Sequence, residues 1–276
     1  MFDRYAILAL CDGYRRCNAL RVCPQRRTGS AEPRCAASLH RLPPTRMSSA
    51  SNPSPDLYLA PGRCVDSDHP AVQAFAREHV SSSMPAREIA VRLYYAVRDG
   101  FRYDPYFFDM SEQGLKASHV IANGRGFCVP KAALLAASAR AMGVPARLGF
   151  ADVRNHLTSP RLLAMMKTDV FAFHGFAELL INGQWVKATP AFNLALCEKA
   201  GVKPLEFDGT ADSIFHEFDT QGRRHMEYIR ERGSFADIPR REMLAVFAQT
   251  YPAFESWMSN AGGGDFEQEV SPGAAN

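Results

Sequence analysis

The sequence predicts an α+β fold in which a buried, cysteine-bearing helix packs on an antiparallel sheet. Residues 128–142 are apolar on nearly every side at helical spacing, and a helix that is apolar all round is buried. Residues 171–189 then change to the two-residue period of strands around Asn182-Gly183, the dipeptide best suited to a two-residue hairpin turn. A buried helix followed by a hairpin indicates helices packed on an antiparallel sheet.

Cys128 lies in the first turn of this helix, directly after the glycine-rich stretch 123–127, and Gly143-Val144-Pro145 ends the helix. The N-terminus of a helix carries roughly half a positive charge, which favours the thiolate over the thiol. The position therefore predicts an acidified nucleophile on a rigid support. The competing interpretation is an inert cysteine in a core helix, because free cysteine is among the residues most often buried.

The register of the hairpin follows from its two-residue turn. The turn pairs Ile181 with Gln184 and therefore Glu178 with Lys187, and opposite charges directly across from each other favour that register. Side chains alternate between the two faces of a strand, so His174 lies on the same face as Glu178. The register thus places a histidine near the open end of the hairpin.

His174 is the candidate general base. It is a diagonal neighbour of Thr189, and diagonal Cα atoms lie roughly 7–8 Å apart, which is close enough for a side-chain hydrogen bond. We therefore expect the Thr189 hydroxyl to orient the imidazole, with Asn193 and Asp152 as rival orienting groups. A lone histidine on a strand is more often a half-buried polar residue, and it is the cysteine helix that favours the catalytic interpretation.

The remaining pattern predicts further helices and one more strand. Helical spacing covers residues 70–80, 85–100, 117–122 and 241–251, with a shorter helical piece at 161–167, and residues 146–153 alternate as a strand.

The first 46 residues differ in composition from the rest, because they hold nine arginines, no lysine and four of the seven cysteines. None of these cysteines forms the Cys-x-x-Cys pair that a zinc site prefers. We expect residues 1–52 to be a disordered or mis-started extension and residues 53–258 to be a single domain with a motif core at 85–193. Residues 259–276 are expected to be a flexible tail.

Net charge, hydropathy and cysteine content limit the kinds of partner and compartment expected for this chain. The net charge is +3, and the chain without its first 46 residues is close to neutral, so we expect no nucleic-acid partner. No apolar run approaches the roughly 20 residues of a membrane-spanning helix, so we expect no membrane partner. Sparse cysteines, odd in number, favour free thiols in a reducing compartment and hence a cytoplasmic protein. The oligomeric state stays open.

Several segments together resemble the transglutaminase-like superfamily, whose core is shared with papain-type thiol enzymes, and the chain resembles its bacterial-type members over roughly residues 85–193. These segments follow the order of the family: residues 90–104, Gly124–Cys128 with Gly143–Arg147, and His174 followed by Trp185-Val186 and Pro190. The resemblance implies that Cys128 is the nucleophile and His174 the base. The family's usual third residue is an aspartate before the proline, and here that position is Thr189.

The resemblance implies thiol-dependent acyl transfer on an amide bond of a peptide, a protein or a small amide. Hydrolysis is favoured over cross-linking because the chain has no Asp-x-Asp-x-Asp-Gly calcium pattern. We expect no cofactor and no metal, since no ligand pair beside Cys128 and His174 has metal spacing. The alternative is a catalytically weak or inactive domain that acts as a binding or scaffold module, because threonine cannot stabilise an imidazolium by charge.

Overall fold

The computed structural model describes residues 55–156, 158–214, 218–259 and 265–270. The predicted N-terminal extension, residues 1–52, lies outside the described residues. A short 3-10 turn, Pro55–Tyr58, begins the described part of the chain.

The described helices and strands are named in chain order. The helices are α1 (Pro70–His79), α2 (Ala86–Gly100), α3 (Ala117–Asn123), α4 (Cys128–Ala141), α5 (Pro160–Met166), α6 (Leu194–Ala200), α7 (Arg240–Thr250), α8 (Phe254–Ser259) and α9 (Phe266–Glu269). The strands are β1 (Arg102–Tyr103), β2 (Arg125–Gly126), β3 (Ala146–Asn155), β4 (Val170–Ile181), β5 (Gln184–Ala188) and β6 (Met226–Phe235).

The main sheet is antiparallel, with strand order β5-β4-β3-β6, while β1 and β2 form a small parallel pair. Helix α4 packs on β4 and β3, and α1, α2 and α3 contact α4 from other sides. The predicted α+β fold, with a buried cysteine-bearing helix on an antiparallel sheet, is confirmed.

Helix α4 is buried throughout from Cys128 to Arg140, as its apolar pattern predicts. Its last buried residue is charged, but the guanidinium of Arg140 donates to the carbonyl oxygens of Ala146 at 2.9 Å and Ala60 at 2.6 Å. Buried polar groups need such partners, because an unpaired one costs free energy. The helix is therefore held to the chain on either side of it by backbone carbonyls.

The hairpin has the predicted turn and register. Asn182-Gly183 has positive φ at both residues, 51° and 81°, as a type I′ turn requires. Glu178 lies opposite Lys187, and the ladder continues to the pair Ala177–Ala188, so Thr189 is one residue beyond β5. The register is thus confirmed over the strand pairs that the structure describes.

The two opposite charges lie across from each other as predicted, but their charged groups bind other residues. Glu178 accepts a hydrogen bond from Arg147 Nε at 2.6 Å, while Lys187 Nζ donates to Glu231 at 3.0 Å. These partners come from β3 and β6. Two opposite charges across a hairpin therefore bind neighbours from other strands when the tertiary structure supplies them.

The open end of the hairpin contains a β-bulge. The β3–β4 pairing shifts between Ala151 and Val153, so Asp152 faces two residues of β4. Phe173, inside the bulge, has φ of 53°, a region that bulky residues rarely occupy. Asp152 Oδ1 accepts the Phe173 N–H at 3.0 Å, and its carboxylate also pairs with Arg232 at 2.7 Å. A long-range ion pair thus fixes the backbone beside His174.

Several described elements lie where the sequence predicts none, among them β6 and α9. Strand β6 is mostly exposed and rich in charged residues, a composition that keeps edge strands from pairing with other chains and hides the strand period. Residues 265–270, within the segment predicted as a tail, are described and contain α9. Phe266 is buried there with its ring 5.7 Å from that of Tyr103, and Glu269 accepts from Arg161 at 2.5 Å.

Candidate active site

Cys128 and His174 line the same cavity, which has an empty volume of about 490 Å³. Cys128 comes from the first turn of α4, and His174 comes from β4 directly after the bulge. Both residues are buried, with 8% and 5% of their surface exposed. The structure thus brings the predicted nucleophile and the predicted base to one enclosed site.

Gly175 allows β4 to approach the start of α4. A Cβ atom at Gly175 would lie 3.1 Å from Val129 Cα, so a larger residue would push the strand and the helix apart. The close approach brings the Gly175 N–H to the Cys128 thiol, and this N–H lowers the thiol pKa together with the N–H groups of Val129 and of Cys128 itself. Three backbone donors therefore face the sulfur.

The expectation of an acidified thiol is wrong for the free protein. Burial raises the pKa of the Cys128 thiol to about 11, because it disfavours the charged thiolate more than the three backbone donors favour it. At neutral pH the thiol is protonated. A nucleophilic Cys128 therefore needs a base that takes the proton as the sulfur attacks.

Two tyrosines flank the sulfur. The Tyr251 hydroxyl accepts the Ala172 N–H at 2.8 Å, and Tyr103 is almost completely buried. Burial raises the pKa of both tyrosines, and the nearby Cys128 raises it further in each case. Both hydroxyls stay protonated at neutral pH and can donate to an oxygen that develops charge in the cavity.

The predicted orienting groups have other partners. The Thr189 hydroxyl donates to the Ile214 carbonyl at 2.6 Å, which leaves its oxygen lone pairs as the part that can accept from an imidazole N–H. Asn193 Oδ1 accepts the Tyr103 N–H at 3.1 Å. Asp152 is bound to Arg232 and to the Phe173 N–H. The role of Thr189 as the group that orients His174 stays a prediction.

Lys131 lies one turn after Cys128 and is completely buried. Its ammonium donates to three carbonyl oxygens, those of Arg98 at 2.9 Å, Phe101 at 2.5 Å and Ala191 at 2.8 Å. Burial lowers the pKa of Lys131 to about 7, an effect that the charge of Asp99 opposes. The side chain fastens the cysteine helix to the end of α2 and to the segment after β5.

A second cavity shares His174 with the first and has an empty volume of about 850 Å³. Four residues line both cavities: Tyr103, Leu162, Phe171 and His174. The second cavity also has polar and charged groups in its wall, among them Ser159, Arg223 and Glu269. His174 thus lines both an aromatic space and a more polar one.

Sequence reasoning missed Gly175, Tyr103 and Tyr251. A signal existed for Gly175, since an isolated glycine inside a strand pattern indicates a bulge or a close backbone approach. No local pattern points to the tyrosines, because one lies before α4 and the other at the end of α7.

The part of the chain that the structure describes contains neither a metal-binding cluster nor a membrane-spanning helix. No group of three or more His, Cys, Asp or Glu side chains there is arranged to hold a metal ion. None of the helices in that part is both long and apolar enough to cross a bilayer.

Comparison with known proteins matches residues 73–190 to the family described as the transglutaminase-like superfamily. A candidate cysteine protease from Cytophaga hutchinsonii is 17% identical at a TM-score of 0.36, over 64% of this chain and 53% of that one. A candidate protease from Parabacteroides distasonis is 16% identical at a TM-score of 0.31, over 54% and 28%. The chain thus spans about half of the first structure's length and little more than a quarter of the second's. No curated protein matches significantly.

Proposed function

Because the chain carries a transglutaminase-like core over residues 73–190, we propose that it is a cysteine hydrolase that cleaves amides or esters by acyl transfer through Cys128. The observation that carries the proposal is the shared cavity of Cys128 and His174 at the start of a buried helix. A nucleophile and a base in one enclosed space form the minimal unit of nucleophilic catalysis.

The reaction begins with proton transfer. The raised pKa of Cys128 means that the thiol holds its proton until substrate binds, so His174 takes that proton as the sulfur attacks the carbonyl carbon. The sulfur–carbon bond forms, and the carbonyl oxygen gains negative charge. The backbone N–H groups near the sulfur are assigned to stabilise that oxygen, and the hydroxyls of Tyr103 and Tyr251 belong to the same cavity.

The second half of the reaction regenerates the thiol. His174 protonates the leaving amine, or an alcohol leaves, and a thioester on Cys128 remains. Water then attacks the thioester with His174 again as the base, and the acid product departs. The low exposure of Cys128, 8%, favours water over a protein amine as the acceptor, because an incoming protein side chain would need a wider opening. Hydrolysis is therefore the proposed outcome.

Acylation by p-nitrophenyl acetate tests the proposal. We expect one acetyl group on Cys128 by peptide mass mapping, with release of nitrophenolate, and no adduct or release above background from Cys128→Ala. Cys64 and Cys197 are internal controls, because both are buried free thiols outside this cavity whose pKa burial raises to about 12. Equal release from the wild type and from Cys128→Ala would contradict the proposal and favour a non-catalytic binding module.

A further inference from the structure

We infer that the cavity beside Cys128 binds the acyl part of the substrate and selects an apolar acyl group, while the cavity beyond His174 binds the leaving group. The inference rests on the proposed function and adds the substrate class to it. It follows from the different linings of the two cavities and from the positions of the sulfur and the imidazole between them.

The Cys128 cavity is apolar. Five phenylalanines contribute to its wall, together with Leu162 and Met166 on α5: Phe108, Phe127, Phe171, Phe173 and Phe247. The rings pack on one another, with centroids 5.0 Å apart for Phe108 and Phe127. No Asp, Glu, Lys or Arg lines this cavity among the residues for which the structure gives positions. A charged acyl group would lose its water there without gaining an oppositely charged side chain.

The chemistry decides which end of the substrate enters this space. The sulfur bonds to the acyl carbon, so the acyl chain must extend from Cys128. His174 delivers the proton to the leaving group, so the leaving group must lie on the side of the imidazole. His174 lines both cavities, whereas Cys128 lines only the apolar one among the described residues. The acyl group therefore occupies the aromatic cavity, and the leaving group faces Arg223 and Glu269.

The size of the cavity sets the expected preference. Its empty volume of about 490 Å³ includes space open to solvent, and its aromatic wall gives an acyl chain a surface to pack on. Each methylene moved from water into an apolar site changes an equilibrium about fourfold, from the ~0.8 kcal/mol transfer free energy of a methylene. The specificity constant should therefore rise with acyl chain length until the cavity is full.

Three p-nitrophenyl esters test the preference in the wild-type protein: the acetate, the butyrate and the hexanoate. They share one leaving group and differ in the acyl chain. We expect kcat/KM, after subtraction of the Cys128→Ala background, to rise about fourfold per methylene from acetate to butyrate and to remain high for hexanoate. A kcat/KM that stays constant or falls as the acyl chain lengthens overturns the inference.

A pair of variants on α5 tests whether the cavity beside Cys128 causes the preference for longer acyl chains. Met166 lines the cavity and is buried, whereas Leu163 on the same helix is 43% exposed and outside it. Met166→Phe should reduce the hexanoate-to-acetate ratio of kcat/KM about tenfold or more by filling the cavity. Leu163→Phe should leave that ratio at the wild-type value. An unchanged ratio in folded Met166→Phe overturns the inference, and the wild-type series decides it if that variant fails to fold.

Failure of the inference is distinguishable from failure of the proposed function. If Cys128 becomes acylated but shows no preference for longer chains, the hydrolase proposal stands and the acyl-site inference falls. If no ester acylates Cys128, both fall together. Acylation of Cys128 with a rising series supports both.

Discussion

The hairpin of β4 and β5 is stabilised differently at its two ends. At the turn, Asn182-Gly183 adopts the positive φ angles that these two residue types tolerate, so the conformation is local. At the open end, Asp152 holds the Phe173 N–H, Tyr251 holds the Ala172 N–H, and Lys131 holds the Ala191 carbonyl. The end that carries His174 therefore depends on residues far along the chain. Substitutions at the open end should affect stability and activity together, while substitutions at the turn should affect stability alone.

Asp152→Ala should have the largest effect. It leaves the mostly buried Arg232 guanidinium without its carboxylate and the Phe173 N–H without its acceptor. Breaking such a pair costs about 3 kcal/mol of unfolding free energy. We also expect loss of esterase activity, because the bulge positions the residue next to His174. Urea unfolding and kcat/KM for p-nitrophenyl esters measure the two effects.

The matched control is Asp169→Ala. Asp169 lies directly before β4 and pairs with Arg154 of β3 at 3.2 Å, but both side chains are about half exposed, at 45% and 40%. An exposed pair contributes about 0.5 kcal/mol, so this variant should remain stable and active. Equal losses in the two variants would show that the buried pair has no special role.

Lys131→Met should have the next largest effect, about 2 kcal/mol, because it leaves three buried carbonyl oxygens without a donor. It should also lower activity, since Lys131 ties the cysteine helix to Ala191 at the open end. Chemical denaturation at pH 7 gives the difference in unfolding free energy from the wild type.

The difference in unfolding free energy between the wild type and Lys131→Met should depend on pH. The folded pKa of Lys131, about 7, is lower than the unfolded value of about 10.4, so the unfolded state binds more protons between these pH values. The free-energy cost of burying the Lys131 charge is fully present below pH 7, and it disappears as the pH rises toward 10. The wild type should therefore gain stability relative to Lys131→Met between pH 7 and pH 9. A constant difference would contradict a buried, charged Lys131.

Gly175→Ala should have an intermediate effect. The added Cβ would lie 3.1 Å from Val129 Cα and 3.2 Å from its Cγ2, so β4 and α4 must move apart. We expect a loss of about 1–2 kcal/mol and a marked fall in kcat/KM, because the Gly175 N–H faces the sulfur. Gly100→Ala is the control, since a Cβ there meets no atom within 4 Å, and it should be neutral or stabilising.

Gly183→Ala should have the smallest effect on function. Its φ of 81° strains a residue with a Cβ, at a cost of about 1 kcal/mol. The turn lies at the other end of the hairpin from His174, so kcat/KM should stay at the wild-type value when assayed well below the melting temperature. A loss of activity as large as that of Gly175→Ala would remove the contrast between the two ends.

The same contrast explains what the sequence could predict. The turn, the hairpin register and the all-round burial of α4 follow from local residue types and spacing, and the structure has all three. The bulge at Asp152 does not follow, because its cause is an ion pair with Arg232 on a strand whose charged, exposed sequence hides its period.

In the candidate site, the identity of the two main residues could likewise be predicted from local sequence, whereas their environment could not. Cys128 and His174 could be named from a helix start and a strand face. The state of the thiol could not, because the favourable helix end is a local feature, whereas the opposing burial is created by Tyr103, Tyr251 and the aromatic wall around the sulfur. The interaction of Thr189 with Ile214 likewise depends on a segment that no spacing rule brings to β5.

The role of His174 as the base for Cys128 is tested by the pH dependence of Cys128 acylation. The rate is measured in the wild type and in His174→Ala, each corrected for the Cys128→Ala background. Without a base the reaction needs the free thiolate, whose fraction rises tenfold per pH unit below the thiol pKa of about 11. For His174→Ala we therefore expect the acylation rate to rise steeply between pH 7 and pH 9. For the wild type we expect a rate at pH 7 about 100-fold or more above that of the variant and a much weaker pH dependence. If the acylation rate depends on pH in the same way in the two proteins, His174 does not act as the base and the proposed mechanism is contradicted.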